Sequence, residues 1–186
     1  MIITLEQLEE CAYLSTDKRR LEAIGPLNET LRVYQINTPE RISAFLAQVL
    51  HESGSFRYLE ELASGKDYEY RSDLGNLEKG ALAAAHRKNT TTGPFYKGRG
   101  WIQITGYYNY VACGKALELD LINDPYLLST YPYAALSAGW FWNIHNCNSY
   151  ADIGDFNKTT KIINGGYNGK EERLAFYEHN LHVLTN

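Results

Sequence analysis

Residues 38–54 read TPERISAFLAQVLHESG, and this stretch decides the fold class. Thr38 is an N-cap residue followed by proline at the first helical position. Ile42, Phe45, Leu46, Val49 and Leu50 then recur at i, i+3, i+4, i+7 and i+8, the spacing of one helical face. Ser53-Gly54 supplies the stop. Working outward, Thr4 and Gln7 form a capping-box pair ahead of Leu5, Leu8 and Ala12. A second helix is expected from Gly25-Pro26 to about Tyr34. Further helices are expected over 77–87, where alanines dominate, and over 107–119, 132–143, 155–163 and 170–184. In the last of these, Leu174, Tyr177, Leu181 and Leu184 define the expected buried face. Residues 60–76 lack a clear period and read as loop or short strand, 89–100 is turn-rich and reads as a loop, and Trp101–Thr105 alternates as a short strand would. There is no repeat and no low-complexity linker. The expectation is one domain over 1–186, mainly α, with a small β or irregular lobe.

The composition bounds the function classes. With 186 residues and 44% hydrophobic content, the chain is long enough for one packed core. A net charge of −4 argues against a protein that tracks nucleic-acid phosphates. No apolar run reaches the roughly 20 residues of a membrane span, so no membrane insertion is expected. The start, MIITLEQLEECAYL, has no basic region and carries three glutamates, which is unlike a signal peptide. Synthesis and retention in a cytoplasm are the corresponding expectation. Cys11, Cys113 and Cys147 are odd in number and scattered, the pattern of buried free thiols. Fifteen tyrosines and three tryptophans suit stacking on sugar rings, and equally suit a tyrosine-rich core.

Glu52 is the residue whose placement carries chemistry. It follows Phe45 and Val49 around the helix and lies at the edge of the apolar stripe, in the last turn. Burial and the negative end of the helix dipole both work against a charged carboxylate there, which suits a proton donor. Taken alone, it reads first as an ordinary boundary glutamate. Nine residues on comes Glu60-Glu61, beyond a turn containing Gly54. Two carboxylates on separate elements facing one cleft are what glycoside hydrolysis needs, one protonated and one ionised. One of that pair is expected to be an ordinary solvated acid.

His51-Glu52-Ser53-Gly54 with Leu59-Glu60-Glu61 resembles the catalytic segment of glycoside hydrolase family 19, in its phage endolysin branch. The run from Gly98 to Tyr110, GRGWIQITGYYNY, resembles that family's GRGxIQxTxxxNY segment. Ile163-Asn164-Gly165-Gly166 with Glu172-Arg173 and Tyr177 resembles its INGG and final-helix pattern. The three occur in order. The resemblance implies a lysozyme-like fold with a cleft between a helical body and the smaller lobe. It implies Glu52 as general acid, Glu61 (or its neighbour Glu60) as the carboxylate serving the attacking water, and Thr105 as a hydroxyl holding that water. Gln103, Asn109 and Asn164 match sugar-binding positions, and His51 and Tyr110 are grouped with them. Arg173 matches a basic residue supporting the acidic cluster and keeping a carboxylate ionised, and it is also grouped with the substrate-binding positions.

The implied activity is inverting cleavage of β-1,4 bonds between N-acetylmuramic acid and N-acetylglucosamine in peptidoglycan, by a monomer with no cofactor or metal. The implied setting is a phage-infected bacterium, with the enzyme reaching the periplasm through a holin-type partner. The scattered cysteines and the position of Glu61 depart from the plant chitinases of the family. An endochitinase acting on N-acetylglucosamine polymers is the alternative within this chemistry. A wall amidase or peptidase with zinc ligands among His51, His86, His145, Cys147, His179 and His182 is a third reading. No HExxH motif accompanies it. A sugar-binding module without catalysis is a fourth. The Gly98-Arg99-Gly100 run lacks the Gly-Lys-Ser/Thr ending of a phosphate loop.

Overall fold

The structure is a computed structural model, and it describes residues 2–186. Among the described residues ten helices follow one another: α1 (Leu5–Cys11), α2 (Asp17–Val33), α3 (Pro39–Glu52), α4 (Lys79–Arg87), α5 (Thr92–Phe95), α6 (Tyr107–Leu117), α7 (Tyr133–Ile144), α8 (Cys147–Asp152), α9 (Phe156–Asn164) and α10 (Lys170–Thr185). Short 3-10 turns lie at Lys66–Tyr68, Ser72–Leu74 and Pro125–Ser129. The expected β component reduces, among the described residues, to two isolated bridges, Glu60 with Arg99 and Arg99 with Ile104.

The centre of the body is α3. Thr38 caps it by accepting from the Arg41 amide, and Pro39 opens it. Every residue from Ile42 to Leu50 is buried, Ser43 and Gln48 included. This is more than the single stripe its apolar residues describe, because α8, α9 and α10 all pack against it. A helix buried on all sides must satisfy its polar side chains internally. Gln48 does so by donating to Thr160 Oγ1 (2.9 Å) and accepting from Arg173 Nη1 (2.6 Å).

Three expectations about helices need correction. First, α2 begins at Asp17 rather than at Gly25-Pro26, with Thr16 as its cap and Pro26 inside it. The carbonyl that loses a partner to Pro26 belongs to the exposed Glu22, so water can satisfy it. Second, α10 buries Arg173, Phe176, Asn180 and Leu184, while Leu174 is exposed. Two of those buried residues are polar, which hides the true face from a hydrophobic count. Third, the short helices α5 and α8 lay outside the expected set.

The segment 101–105 is not a strand. Arg99 and Ile104 exchange both backbone hydrogen bonds (3.1 and 2.8 Å), which closes a hairpin around Gly100–Gln103. Gly100 and Gln103 have φ of +83° and +58°, values that extended backbone cannot adopt. A Cβ on Gly100 would lie 2.6 Å from Ser137 Oγ, so glycine is required where the hairpin meets α7. Trp101 anchors it, fully buried, donating its amide to the Ala134 carbonyl and packing at 5.0 Å from the Phe56 ring. Cys11, Cys113 and Cys147 are buried free thiols, as their spacing suggested.

Candidate active site

Glu52 is the last residue of α3 and is half-buried. Its Oε1 accepts from Arg173 Nη2. Arg173 comes from α10, is 1% exposed, and spends its other donors on Gln48 Oε1 and on the Asn168 carbonyl (3.1 Å). The guanidinium is therefore aimed from behind by Thr160 and Gln48, and it fixes one carboxylate oxygen of Glu52. Oε2 is the oxygen left for other chemistry. Arg173 was expected to support a carboxylate of the acidic cluster and to bind substrate. It does support a carboxylate, Glu52, but its burial against α3 takes it out of reach of a sugar.

The chain leaves Glu52 through an unusual turn. Gly54, Ser55 and Phe56 have φ of +56°, +58° and +64° in succession. Such a run is costly for residues with side chains, roughly 1–2 kcal/mol each, and persists only where surroundings enforce it. Ser53 does much of this: its Oγ donates to the Val49 carbonyl (2.7 Å) and accepts from the Phe56 amide (2.9 Å). Ser15 Oγ holds the Ser55 carbonyl at 2.9 Å. The turn reverses the chain and delivers residues 59–61 to the hairpin, where Gly100 N bonds the Leu59 carbonyl and Glu61 N the Gly98 carbonyl, both at 2.9 Å.

On this paired strip successive side chains point to opposite sides. That separates Glu60 from Glu61. Glu60 Oε1 meets two cations, Arg99 Nη2 at 3.1 Å and Lys97 Nζ at 3.2 Å. Arg99 is fully buried, and it also donates to the Phe95 carbonyl and to Tyr110 Oη. Glu60 is thus committed to the scaffold. Glu61 instead takes neutral donors, Tyr68 Oη on Oε1 (3.0 Å) and the Gly98 amide on Oε2 (3.1 Å). Burial and then the Glu61 hydrogen bond push the Tyr68 phenol upward, so it stays a donor at ordinary pH.

The other expected residues divide. Thr105 is half-buried, and its hydroxyl donates to the Gln103 carbonyl (2.8 Å), so only its lone pairs remain for a water. Gln103 donates to the Gly100 carbonyl (2.8 Å), while its Oε1 is buried without a protein partner and lies beside Gly98. Asn109, in the first turn of α6, donates to the Thr105 carbonyl (2.8 Å). Asn164 ends α9 with its Nδ2 buried and unpartnered. His51 Nδ1 lies 2.6 Å from Glu172 Oε2 without hydrogen-bond alignment, and its ring packs on Gly169. Tyr110 is not available to a sugar. It is fully buried, donating to the Lys97 carbonyl (2.7 Å) from the inner face of α6.

Among the described residues, no hydrogen bond or ion pair joins the Glu52 network directly to the Glu61 network; along the chain the left-handed turn links them. Among the described residues, no three His, Cys, Asp or Glu side chains converge as metal ligands, the residues of the zinc reading included. Gln48, Tyr68, Lys97 and Arg99 were missed by the sequence reading.

These features define a helical, lysozyme-like hydrolase fold bearing two separately held carboxylates. Residues 34–152 match the family described as Chitinase class I, and the chain belongs to glycoside hydrolase family 19. It is similar to an endochitinase of Arabidopsis thaliana, 44% identical over 143 residues. That match covers 73% of this chain and 45% of the relative, so the chain spans under half of that protein's length. A glycosyl hydrolase family 19 domain-containing protein of Haemophilus influenzae is 32% identical over 154 residues, covering 72% of this chain and 74% of the relative. Among solved structures, a bacterial family 19 chitinase superposes with a TM-score of 0.78 at 25% identity, covering 99% of this chain and 95% of that one. Chitinase C of Streptomyces griseus shares the fold, with a TM-score of 0.76 at 24% identity over 99% of this chain and 77% of that one.

Proposed function

We propose that the chain hydrolyses β-1,4 bonds of N-acetylglucosamine polymers, with Glu52 as general acid and Glu61 as the carboxylate that activates water. The carrying observation is the contrast between the two carboxylates. Glu52 is held through Oε1 by a buried arginine at the end of a buried helix; an arginine favours the ionised carboxylate, so its part is to orient Glu52, and Oε2 is the oxygen that has to carry the proton to the leaving group. Glu61 is oriented by a phenol and a backbone amide, neutral donors that leave lone pairs for a water. Thr105, whose proton is committed to the Gln103 carbonyl, accepts from that water and helps to aim it. Gln103 Oε1, Asn109 and the Asn164 amide are the groups offered to acetamido and hydroxyl groups.

The polymer is chosen from the relatives. Several carry the name endochitinase, which favours chitin over the peptidoglycan expectation. The test is mass spectrometry of parallel digests of colloidal chitin and of purified peptidoglycan. Chito-oligosaccharides from the first and nothing from the second support the proposal. Muropeptides with reducing N-acetylmuramic acid would move the activity to a muramidase, and free stem peptides would refute glycoside hydrolysis as the wall activity.

A further inference from the structure

Residues 60–63 carry Glu61 but have little regular structure to hold them. Glu61 N bonds the Gly98 carbonyl, and beyond it Leu62, Ala63 and Ser64 donate no backbone hydrogen bond. One side chain makes up the difference. Lys97 Nζ lies 2.9 Å from the Glu61 carbonyl, 3.2 Å from the Ala63 carbonyl and 3.2 Å from Glu60 Oε1. An ammonium has three protons, and here all three have an acceptor on the same four-residue segment. The side chain is 17% exposed, and its stem is packed by Gly65, where a Cβ would come within 2.7 Å of Lys97 Cβ. Its own backbone is held by Tyr110, whose hydroxyl donates to the Lys97 carbonyl. Lys97 is thus fixed at its root and saturated at its tip.

We infer that Lys97 is a positioning residue for Glu61: it sets the backbone from which the Glu61 carboxylate projects, and it has no free donor with which to bind sugar itself. The inference rests on Glu61 serving the attacking water. Tyr68 and the Gly98 amide fix the carboxylate's two oxygens, but they fix them in a useful place only if the Glu61 Cα stays where Lys97 holds it. A base moved by about 1 Å can cost on the order of 100-fold in rate.

The experiment is a double-mutant cycle on chitohexaose hydrolysis, with and without azide. Lys97→Met keeps the unbranched stem and removes the three donors. It is expected to lower kcat about 10- to 100-fold, with KM within twofold of the parent. Glu61→Gln is expected to be nearly inactive, with a measurable azide-supported rate because azide needs no base. Adding Lys97→Met to Glu61→Gln should leave that azide-supported rate unchanged, since Lys97 then has no base to place. A further tenfold loss in the Glu61→Gln background, or a rise in KM that accounts for the whole defect, overturns the positioning role. If Lys97→Met fails to give a cooperative thermal transition, the cycle is run with Lys97→Arg, which keeps the charge but cannot place donors on all three acceptors. Full turnover by Glu61→Gln would instead defeat the base assignment itself, whatever Lys97→Met does.

Discussion

Arg173→Met is the substitution whose consequence follows most directly from the geometry. Arg173 is 1% exposed and bonds Glu52, Gln48 and the Asn168 carbonyl. Methionine fills similar volume but leaves the Glu52 carboxylate without its cation and Gln48 Oε1 without its donor. Breaking a buried ion pair from one side costs about 3–5 kcal/mol. The Glu52 side chain keeps 20% of its exposure, so water recovers part of this and the lower end, about 3 kcal/mol, is expected. For a chain of this size that corresponds to a fall in Tm of about 6–12 °C. In the Glu52→Gln background Arg173 is itself an uncompensated buried cation, so removing it should cost about 1 kcal/mol or less, from the hydrogen bonds to Gln48 and Asn168 alone. Differential scanning calorimetry of the four proteins reads the coupling. Equal losses in both backgrounds would show that Arg173 acts through packing and that the Glu52 pair contributes nothing.

Three further outcomes are expected. Asp152 accepts a bidentate pair from Arg41 (2.6 Å on each oxygen), which ties α8 to α3 and holds the Asp152 carboxyl below its usual value. A depressed folded value means stability that is complete above the unfolded pKa of about 4 and lost as pH falls through the lower folded value. Asp152→Asn should therefore cost about 0.5–1 kcal/mol at pH 7, with the gap closing in urea melts below pH 4; a gap that widens in acid contradicts this. Burial pushes the thiols of Cys11, Cys113 and Cys147 up to about 12, so none should react with a disulfide reagent at pH 8 until the protein unfolds, and fast labelling of any one would refute its burial. Gly169 sits at φ +68°, and a Cβ there would collide with the His51 ring. Gly169→Ala should lower stability by at least about 1 kcal/mol and disturb the α3–α10 junction, visible as a shifted His51 resonance; an unperturbed Tm and spectrum would show that the loop yields freely.

Much of the helical body was legible because its signals are local. The Thr4–Gln7 box closes in both directions, Thr38-Pro39 opens α3, and Ser53-Gly54 ends it beside Glu52. Glu52 and Glu61 stood out as candidates because their spacing and the intervening glycine lie within one short stretch, which also carries the family resemblance. What was not legible depends on partners distant in the chain. Gln48 looks like a minor polar interruption until Arg173, 125 residues on, is seen to bond it. Tyr110 reads as a cleft residue from its motif, but the phase of α6 turns it inward to Arg99 and Lys97. Alternating 101–105 imitates a strand, whereas Gly100 and Gln103 at positive φ make a hairpin corner. The left-handed turn at 54–56 carries only one glycine as a sequence signal, and Phe56 at φ +64° is held there by Ser53 and the Trp101 ring.

The central claim is that Glu52 gives a proton while Glu61 activates a water, so that the sugar is attacked from the face opposite the leaving group. Carboxyl groups arranged for this leave about 6.5–9.5 Å for the water, against about 5–5.5 Å when one attacks directly. Proton NMR of a fresh chitohexaose digest, read before mutarotation, reports the configuration of the first-formed reducing end. The account predicts the α anomer as the initial product, growing at the expense of substrate and absent with Glu52→Gln. An initial β anomer would mean net retention and would contradict the roles given to both carboxylates.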